Sequence, residues 1–233
     1  MRKDCAAVVL AAGQGKRMQS QVPKQYLMLE GKPVIYYALK VFQESFINRV
    51  VLVTVPEDID YCRKQIVEKY GFDKVTDIVA GGKERYHSVH EGLKAVRADY
   101  VFIHDGARPF VTEEILERAY ECVARYDACA VGMPVKDTVK IADIDGFAVS
   151  TPSRDRVWAI QTPQVFAYDL IFQAYTALIE KEQELLGQSV KITDDAMAVE
   201  TLTDRRVKLV EGSYENIKIT TPEDLQIAKA LLC

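Results

Sequence analysis

The sequence predicts an α/β fold built on a mostly parallel, Rossmann-like sheet with helices on both faces. Three observations carry that prediction. Short uninterrupted apolar runs recur along the chain, segments of 3.6-residue periodicity separate them, and the residues just after each run turn polar and glycine-rich. Uninterrupted runs suit strands buried on both faces, which is the condition of a parallel sheet with helical crossovers.

In chain order the candidate strands are Ala6 to Leu10, Val50 to Val55, Val75 to Val79, Tyr100 to His104, Ala128 to Val131 and Val207 to Val210. Thr221-Pro222-Glu223-Asp224 starts a last helix by its chemistry: a Thr N-cap, Pro at the first helical position and acids in the first turn. That helix is expected to run to about Leu232. One stretch breaks the rhythm, at about 137–161, where β-prone runs flank Asp145-Gly146, a two-residue hairpin signal. It reads as a β-arm protruding from the sheet, either a dimer arm or a plain surface hairpin. With no repeat or linker elsewhere, residues 1–233 are expected to form a single domain carrying that excursion.

Composition narrows the function classes. The net charge of −4 gives no general footprint for nucleic acid, so any anion site must be local. No apolar run approaches the roughly 20 residues of a membrane span, and Met1-Arg-Lys-Asp-Cys leads directly into the first strand, so a secretory signal is not expected. Five scattered cysteines without a Cys-x-x-Cys pair suit reduced thiols in the cytoplasm, and His87 and His90 lack the further ligands a metal site needs.

The chemistry gathers where strands end. Leu10 to Tyr26 reads LAAGQGKRMQSQVPKQY, a glycine loop with Lys16, Arg17 and Lys24. It fails the dinucleotide fingerprint, because Met18 stands at the third glycine position, and it fails the P-loop spacing. What remains is a loop whose amides can face oxygen anions, with Pro23 stiffening the backbone before Lys24; the bland alternative is three solvated cations. Ligands of doubly wound sheets bind beyond the carboxyl ends of the strands. Those ends here read AGGKERYHSV (Ala80 to Val89), HDGARPF (His104 to Phe110) and PVKDT (Pro134 to Thr138). Gly81-Gly82 permits close backbone approach, and Ser88 either bonds a base edge or is a surface serine. Asp105 either partners a magnesium shell or a hydroxyl, or caps the next turn.

Taken together, Leu10-Ala-Ala-Gly-x-Gly-x-Arg-Met18, Pro23-Lys-Gln25, Gly81-Gly-x-x-Arg85 with Ser88, His104-Asp105 with Arg108-Pro109, Asp137-Thr138, Thr162-Pro-Gln164, Thr193-Asp-Asp195 and Asn216-Ile-Lys-Ile-Thr220 carry a resemblance. They resemble, in order and over nearly the whole chain, the 2-C-methyl-D-erythritol 4-phosphate cytidylyltransferases of the non-mevalonate isoprenoid pathway. The resemblance implies a nucleotide-diphospho-sugar transferase sheet of glycosyltransferase-A type. It also implies CTP and a polyol phosphate as substrates, Mg2+ held mainly by the CTP phosphates with no certain protein ligand, and a homodimer through the β-arm.

By resemblance, Arg17 and Lys24 are the transition-state cations, and Ala11, Ala12, Gly13 and Gly15 with Gly82 and Ser88 receive the nucleotide. Asp105 meets hydroxyls of nucleotide and acceptor. Lys218 and Arg154, with Arg108, Thr138 and Thr162, hold the acceptor, Arg154 reaching in from the neighbouring subunit; Arg156 is the alternative to Arg154. The acceptor phosphate attacks the α-phosphorus of CTP in line, so placement and charge stabilisation dominate and no covalent nucleophile is required. Ribitol 5-phosphate cytidylyltransferases share the nucleotide half of these motifs, and a nucleotide sensor on the same fold is the non-catalytic alternative. Arg17 and Lys24 both being present favours an enzyme.

Overall fold

The computed structural model describes residues 2–13, 15, 18, 20 and 22–232. Seven strands form the central sheet: β1 (Cys5–Leu10), β4 (Arg49–Thr54), β5 (Val75–Ala80), β6 (Tyr100–Asp105), β7 (Ala128–Pro134), β10 (Trp158–Ala167) and β11 (Lys208–Glu211). Their order is β11-β7-β10-β6-β1-β4-β5. The short pairs β2 (Met28–Leu29) with β3 (Lys32–Pro33) and β8 (Ile141–Ala142) with β9 (Ala148–Ser150) stand apart from it.

Alternation along β1 explains why helices cover both faces. Cys5, Ala7 and Val9 share a buried cluster with α1 (Val34–Glu44) and α4 (Glu113–Tyr126), through Ile35, Leu39, Phe42, Ile115, Leu116 and Val123. Ala6 and Val8 point the other way, into a cluster with α3 (Arg85–Lys94), α5 (Tyr168–Glu180) and α7 (Asp195–Leu202). Every residue of β1 before Leu10 is therefore enclosed, which is what its unbroken apolar run anticipates. The remaining helices are α2 (Ile59–Tyr61), continued by a π-helical stretch (Cys62–Glu68), α6 (Glu182–Gly187) and α8 (Pro222–Leu232). The side chain of Thr221 accepts from the Asp224 amide at 3.4 Å, and the Asp224 carboxylate accepts from the Thr220 and Thr221 amides. That reciprocal cap fixes the start of α8 where the sequence places it.

Two features differ from the sequence reading. The strand β10 is central and antiparallel to both neighbours, β6 and β7. Its first residues, 158–161, were expected in the excursion, yet 158–160 pair with β7 in the main sheet. Pro163 explains the discrepancy: a proline inside a strand needs a bulge, and the register of β10 shifts between Ile160 and Gln164. The second difference is the hairpin turn. Pairing stops at Ala142↔Ala148, leaving five residues in the loop where Asp145-Gly146 signals two. Asp143 Oδ1 accepts from the amides of Asp145 and Phe147 at 3.1 and 2.9 Å and so ties the longer loop from within.

Candidate active site

The chain passes from β1 to β4 on one side and returns to β6 on the other, so the carboxyl ends of β1 and β6 face a topological switch point. A cleft of about 600 Å³ opens there. Its lining includes Ala12, Gly13, Gly15, Lys24, Gly82, Arg85, Ser88, Asp105 and Lys218. Four separate segments of the sequence thus converge on one cavity.

The glycine loop is pinned at its far end. Gln25, 2% exposed, donates its side-chain amide to the Ala11 carbonyl. The Tyr26 hydroxyl bonds Thr54 Oγ1 at 2.7 Å and Cys62 Sγ at 3.0 Å. Between these anchors and the extended Pro23, Lys24 opens a single 3-10 turn. Its stem lies against the loop, since a Cβ at Gly15 would meet Lys24 Cβ at 3.5 Å. Gly15 has φ of +60°, a left-handed conformation that favours glycine. Lys16 and Arg17 lie outside the described residues.

The opposite rim is the turn from β5 into α3. The Gly82 amide donates to Ser88 Oγ at 3.2 Å, and Ser88 Oγ donates to the Glu84 carbonyl at 3.3 Å. Ser88 is 5% exposed, which removes the surface-serine alternative. A Cβ at Gly82 would fall 2.3 Å from His87 Cβ, so the loop backbone runs against the His87 side chain where no further side chain fits.

Asp105 ends β6 at the floor of the cleft. Lys218 Nζ lies 2.6 Å from Oδ2, and Arg85 Nε lies 3.5 Å from Oδ1. Burial opposes the charge on Asp105; Arg85 and Lys218, with Arg108, overcome it and hold the carboxyl well below the usual carboxylate range. Arg85 is shared with Asp195, whose two oxygens accept from Nη1 and Nη2 at 2.7 Å each. Tyr175 donates its hydroxyl to the same Asp195 carboxylate, which is fully buried. Among the site groups Arg85, Asp195 and Tyr175 have no role in the sequence reading, although the first two fall within quoted motifs. Arg85 and Asp195 are 110 residues apart, and no local periodicity reports such a pair.

Behind the cleft a buried relay holds the Asp105 main chain. The Asp105 amide donates to Thr162 Oγ1 at 3.0 Å, and Thr162 Oγ1 lies 3.1 Å from His104 Nδ1. His104 Nε2 lies 3.1 Å from the Arg108 carbonyl, which only accepts, so Nε2 carries the proton and Nδ1 accepts from Thr162. Burial supports that neutral tautomer, pushing the His104 pKa down to about 4. The loop bearing Lys218 hangs on the same elements. Asn216 Nδ2 donates to the Thr162 carbonyl at 2.9 Å, and Arg108 Nη1 donates to the Asn216 carbonyl at 2.7 Å. Arg108 and Thr162 therefore sit behind the cleft, bonded to protein atoms, and neither lines it. Thr138, Arg154 and Arg156 are exposed and outside the cleft of this chain; Arg154 Nη1 donates to the Lys136 carbonyl at 3.2 Å.

Among the described residues no group of three His, Cys, Asp or Glu side chains is placed to hold a metal ion, and each Asp105 oxygen faces a cation. No helix among them is long and apolar enough to cross a membrane.

Comparison with known proteins agrees with this arrangement. The family model for 2-C-methyl-D-erythritol 4-phosphate cytidylyltransferase matches residues 5–233. A Lachnospira eligens protein of that name is 50% identical over 228 residues, covering 97% of this chain and 98% of its own. One from Caldanaerobacter subterraneus is 48% identical, covering 97% and 98% respectively. The crystal structure of an Anaerococcus prevotii 4-diphosphocytidyl-2C-methyl-D-erythritol synthase superposes with a TM-score of 0.82 at 36% identity, over 99% of this chain and 96% of that one.

Proposed function

The chain belongs to the 2-C-methyl-D-erythritol 4-phosphate cytidylyltransferase family, and from that premise we propose how its own residues divide the work of cytidylyl transfer. The enzyme transfers CMP from CTP to 2-C-methyl-D-erythritol 4-phosphate, giving 4-diphosphocytidyl-2-C-methyl-D-erythritol and pyrophosphate. The observation that carries the reading is one cleft that gathers Gly13, Gly15 and Lys24 together with the Lys218–Asp105 pair, 2.6 Å apart. The glycines with Lys24 are suited to a triphosphate and the Lys218–Asp105 pair to a phosphorylated polyol.

The acceptor phosphate is already largely ionised at neutral pH, so its oxygen attacks the α-phosphorus without a general base. One P–O bond forms, the bond to the pyrophosphate leaving group breaks, and charge grows on the α-phosphoryl oxygens. Lys24 and Arg17 stabilise that charge, a compact ammonium and a planar fork meeting different oxygens. Lys218 holds the acceptor phosphate, and Asp105 accepts hydroxyls. Cytosine lies on the rim formed by Ala11, Ala12, Gly13, Gly82 and Ser88, where amides and carbonyls can match its edge. Magnesium bound with CTP would supply charge neutralisation on the phosphates; no residue of the chain is assigned to it.

The hairpin supplies the partner contact. Ile141, Ile144, Phe147 and Val149 are 53 to 99% exposed, an apolar surface that a second copy of the chain would cover. In such a homodimer Thr138 and Arg154 reach the partner's cleft. The compartment that fits five cysteines without a Cys-x-x-Cys pair and these substrates is the cytoplasm.

Pyrophosphate release with magnesium and CTP tests the proposal, comparing methylerythritol 4-phosphate with ribitol 5-phosphate, with UTP as the base control. Turnover confined to CTP and methylerythritol 4-phosphate is expected. Turnover with ribitol 5-phosphate would overturn the acceptor assignment, and silence with both would favour a nucleotide sensor.

A further inference from the structure

Arg85 serves two carboxylates unequally, and the inequality has a chemical consequence. Asp195 takes both terminal nitrogens of the guanidinium, at 2.7 Å each, in the parallel two-bond geometry that arginine and carboxylate prefer. Only the Nε edge is left for Asp105, and at 3.5 Å it balances charge without forming a close hydrogen bond. Asp105 Oδ2 is occupied by Lys218 at 2.6 Å. Oδ1 is thus compensated electrostatically and still able to accept from a ligand hydroxyl.

We propose that Asp195 is a positioning residue for the transfer: it holds the Arg85 fork away from Asp105, so that one Asp105 oxygen stays open to the acceptor. The inference rests on the reading above, in which Asp105 meets acceptor hydroxyls. Without the Asp195 charge the fork has a second carboxylate within a small rotation, and pairing with it would close the oxygen the acceptor needs. Asp195 is built for this restraint. It is fully buried at the first position of α7, where the helix dipole favours an anion, and Tyr175 fixes its carboxylate with a further hydrogen bond. Neither residue lines the cleft, so both act through Arg85, which does.

The test is steady-state kinetics of the full chain with each substrate varied in turn, alongside thermal melts. In Asp195→Asn, which keeps the side-chain volume, the KM for methylerythritol 4-phosphate should rise roughly 10- to 100-fold, with the KM for CTP unchanged. In the double variant Asp195→Asn/Arg85→Gln no fork is left to swing, so the acceptor KM should be no higher than in Arg85→Gln alone. A residue that served folding only would lower the melting temperature and add its cost to that of Arg85→Gln. Should Asp195→Asn not fold, Tyr175→Phe removes a single bond to the same carboxylate and should raise the acceptor KM in the same direction. An unchanged acceptor KM in folded Asp195→Asn, additive losses in the double variant, or an unmoved KM in Tyr175→Phe would each overturn the proposal. Asp105→Asn separates the two readings: if it leaves acceptor use intact, the assignment of Asp105 fails. If it cripples acceptor use while Asp195→Asn does not, the role of Asp195 alone fails.

Discussion

His104→Phe tests the buried relay through its pH dependence. The ring is fully buried and meets Phe42 edge-on at 5.4 Å, so phenylalanine keeps the packing and removes the two nitrogens. At neutral pH the variant leaves the Thr162 hydroxyl proton without its acceptor and the Arg108 carbonyl without its imidazole donor, at about 1–3 kcal/mol for each buried group. Acid then acts on the parent protein alone. The unfolded chain takes up a proton at this histidine near the ordinary value of 6.5, whereas burial holds the folded state to about 4. Between those values the unfolded state binds more protons, so the histidine's contribution to stability is full above the upper value and is lost as pH falls through the window. The separation corresponds to about 3 kcal/mol. Urea midpoints measured in steps from neutral to acid should therefore show the gap between parent and variant closing by about that amount. The acidic side chains titrate in both proteins and drop out of the difference. A gap that stays constant across the window would refute the neutral, doubly bonded His104, and with it the relay to Asp105.

Four further outcomes follow from the cleft and the hairpin. Lys24→Ala should lower kcat by about 100-fold, the equivalent of one lost transition-state donor, with KM for both substrates little changed; unchanged turnover in single-substrate titrations would remove Lys24 from the transition state. Gly82→Ala forces a Cβ to within 2.3 Å of His87 Cβ, and the displaced rim should weaken CTP binding by roughly 1–3 kcal/mol, measured by calorimetry; wild-type affinity would show that the rim does not contact the base. Phe147→Asp should shift the protein from dimer to monomer in sedimentation. Mixed Arg154→Ala and Lys24→Ala subunits should recover activity that neither has alone, and the absence of recovery would place the whole site within one chain.

What the sequence makes legible is set by range. Six strands of the main sheet follow from apolar runs because burial on both faces leaves a local mark, and α8 follows from a cap whose members lie within four residues. The convergence of Gly13, Lys24, Gly82, Ser88 and Asp105 on one cleft follows from motifs at strand ends, and Lys218 joins them through the family resemblance. The partners that hold these residues leave no such mark. Asn216 and Thr162 are 54 residues apart, and His104 and Thr162 are 58 apart. Arg108 looks like a ligand arginine in sequence and proves to be bonded to two main-chain carbonyls.

The strand that the sequence hides is also the one that organises the site, and both facts have the same cause. Between Ile160 and Gln164 the ladder of β10 shifts register, which interrupts the alternating pattern a strand prediction needs and frees polar groups a regular ladder would consume. Gln161 donates to the Ser213 carbonyl, Thr162 serves Asp105 and Asn216, and Gln164 accepts from the Ala196 amide and donates to Asp194. Through these bonds one irregular segment fixes the floor of the cleft, the loop carrying Lys218 and the start of α7 that carries Asp195. Regularising it, for example by replacing Pro163 with valine, should therefore loosen Asp105, Lys218 and Arg85 together. Hydrogen exchange would show this as a joint loss of protection at the Asp105, Ile219 and Ala196 amides; loosening confined to one of them would mean that the three supports are independent.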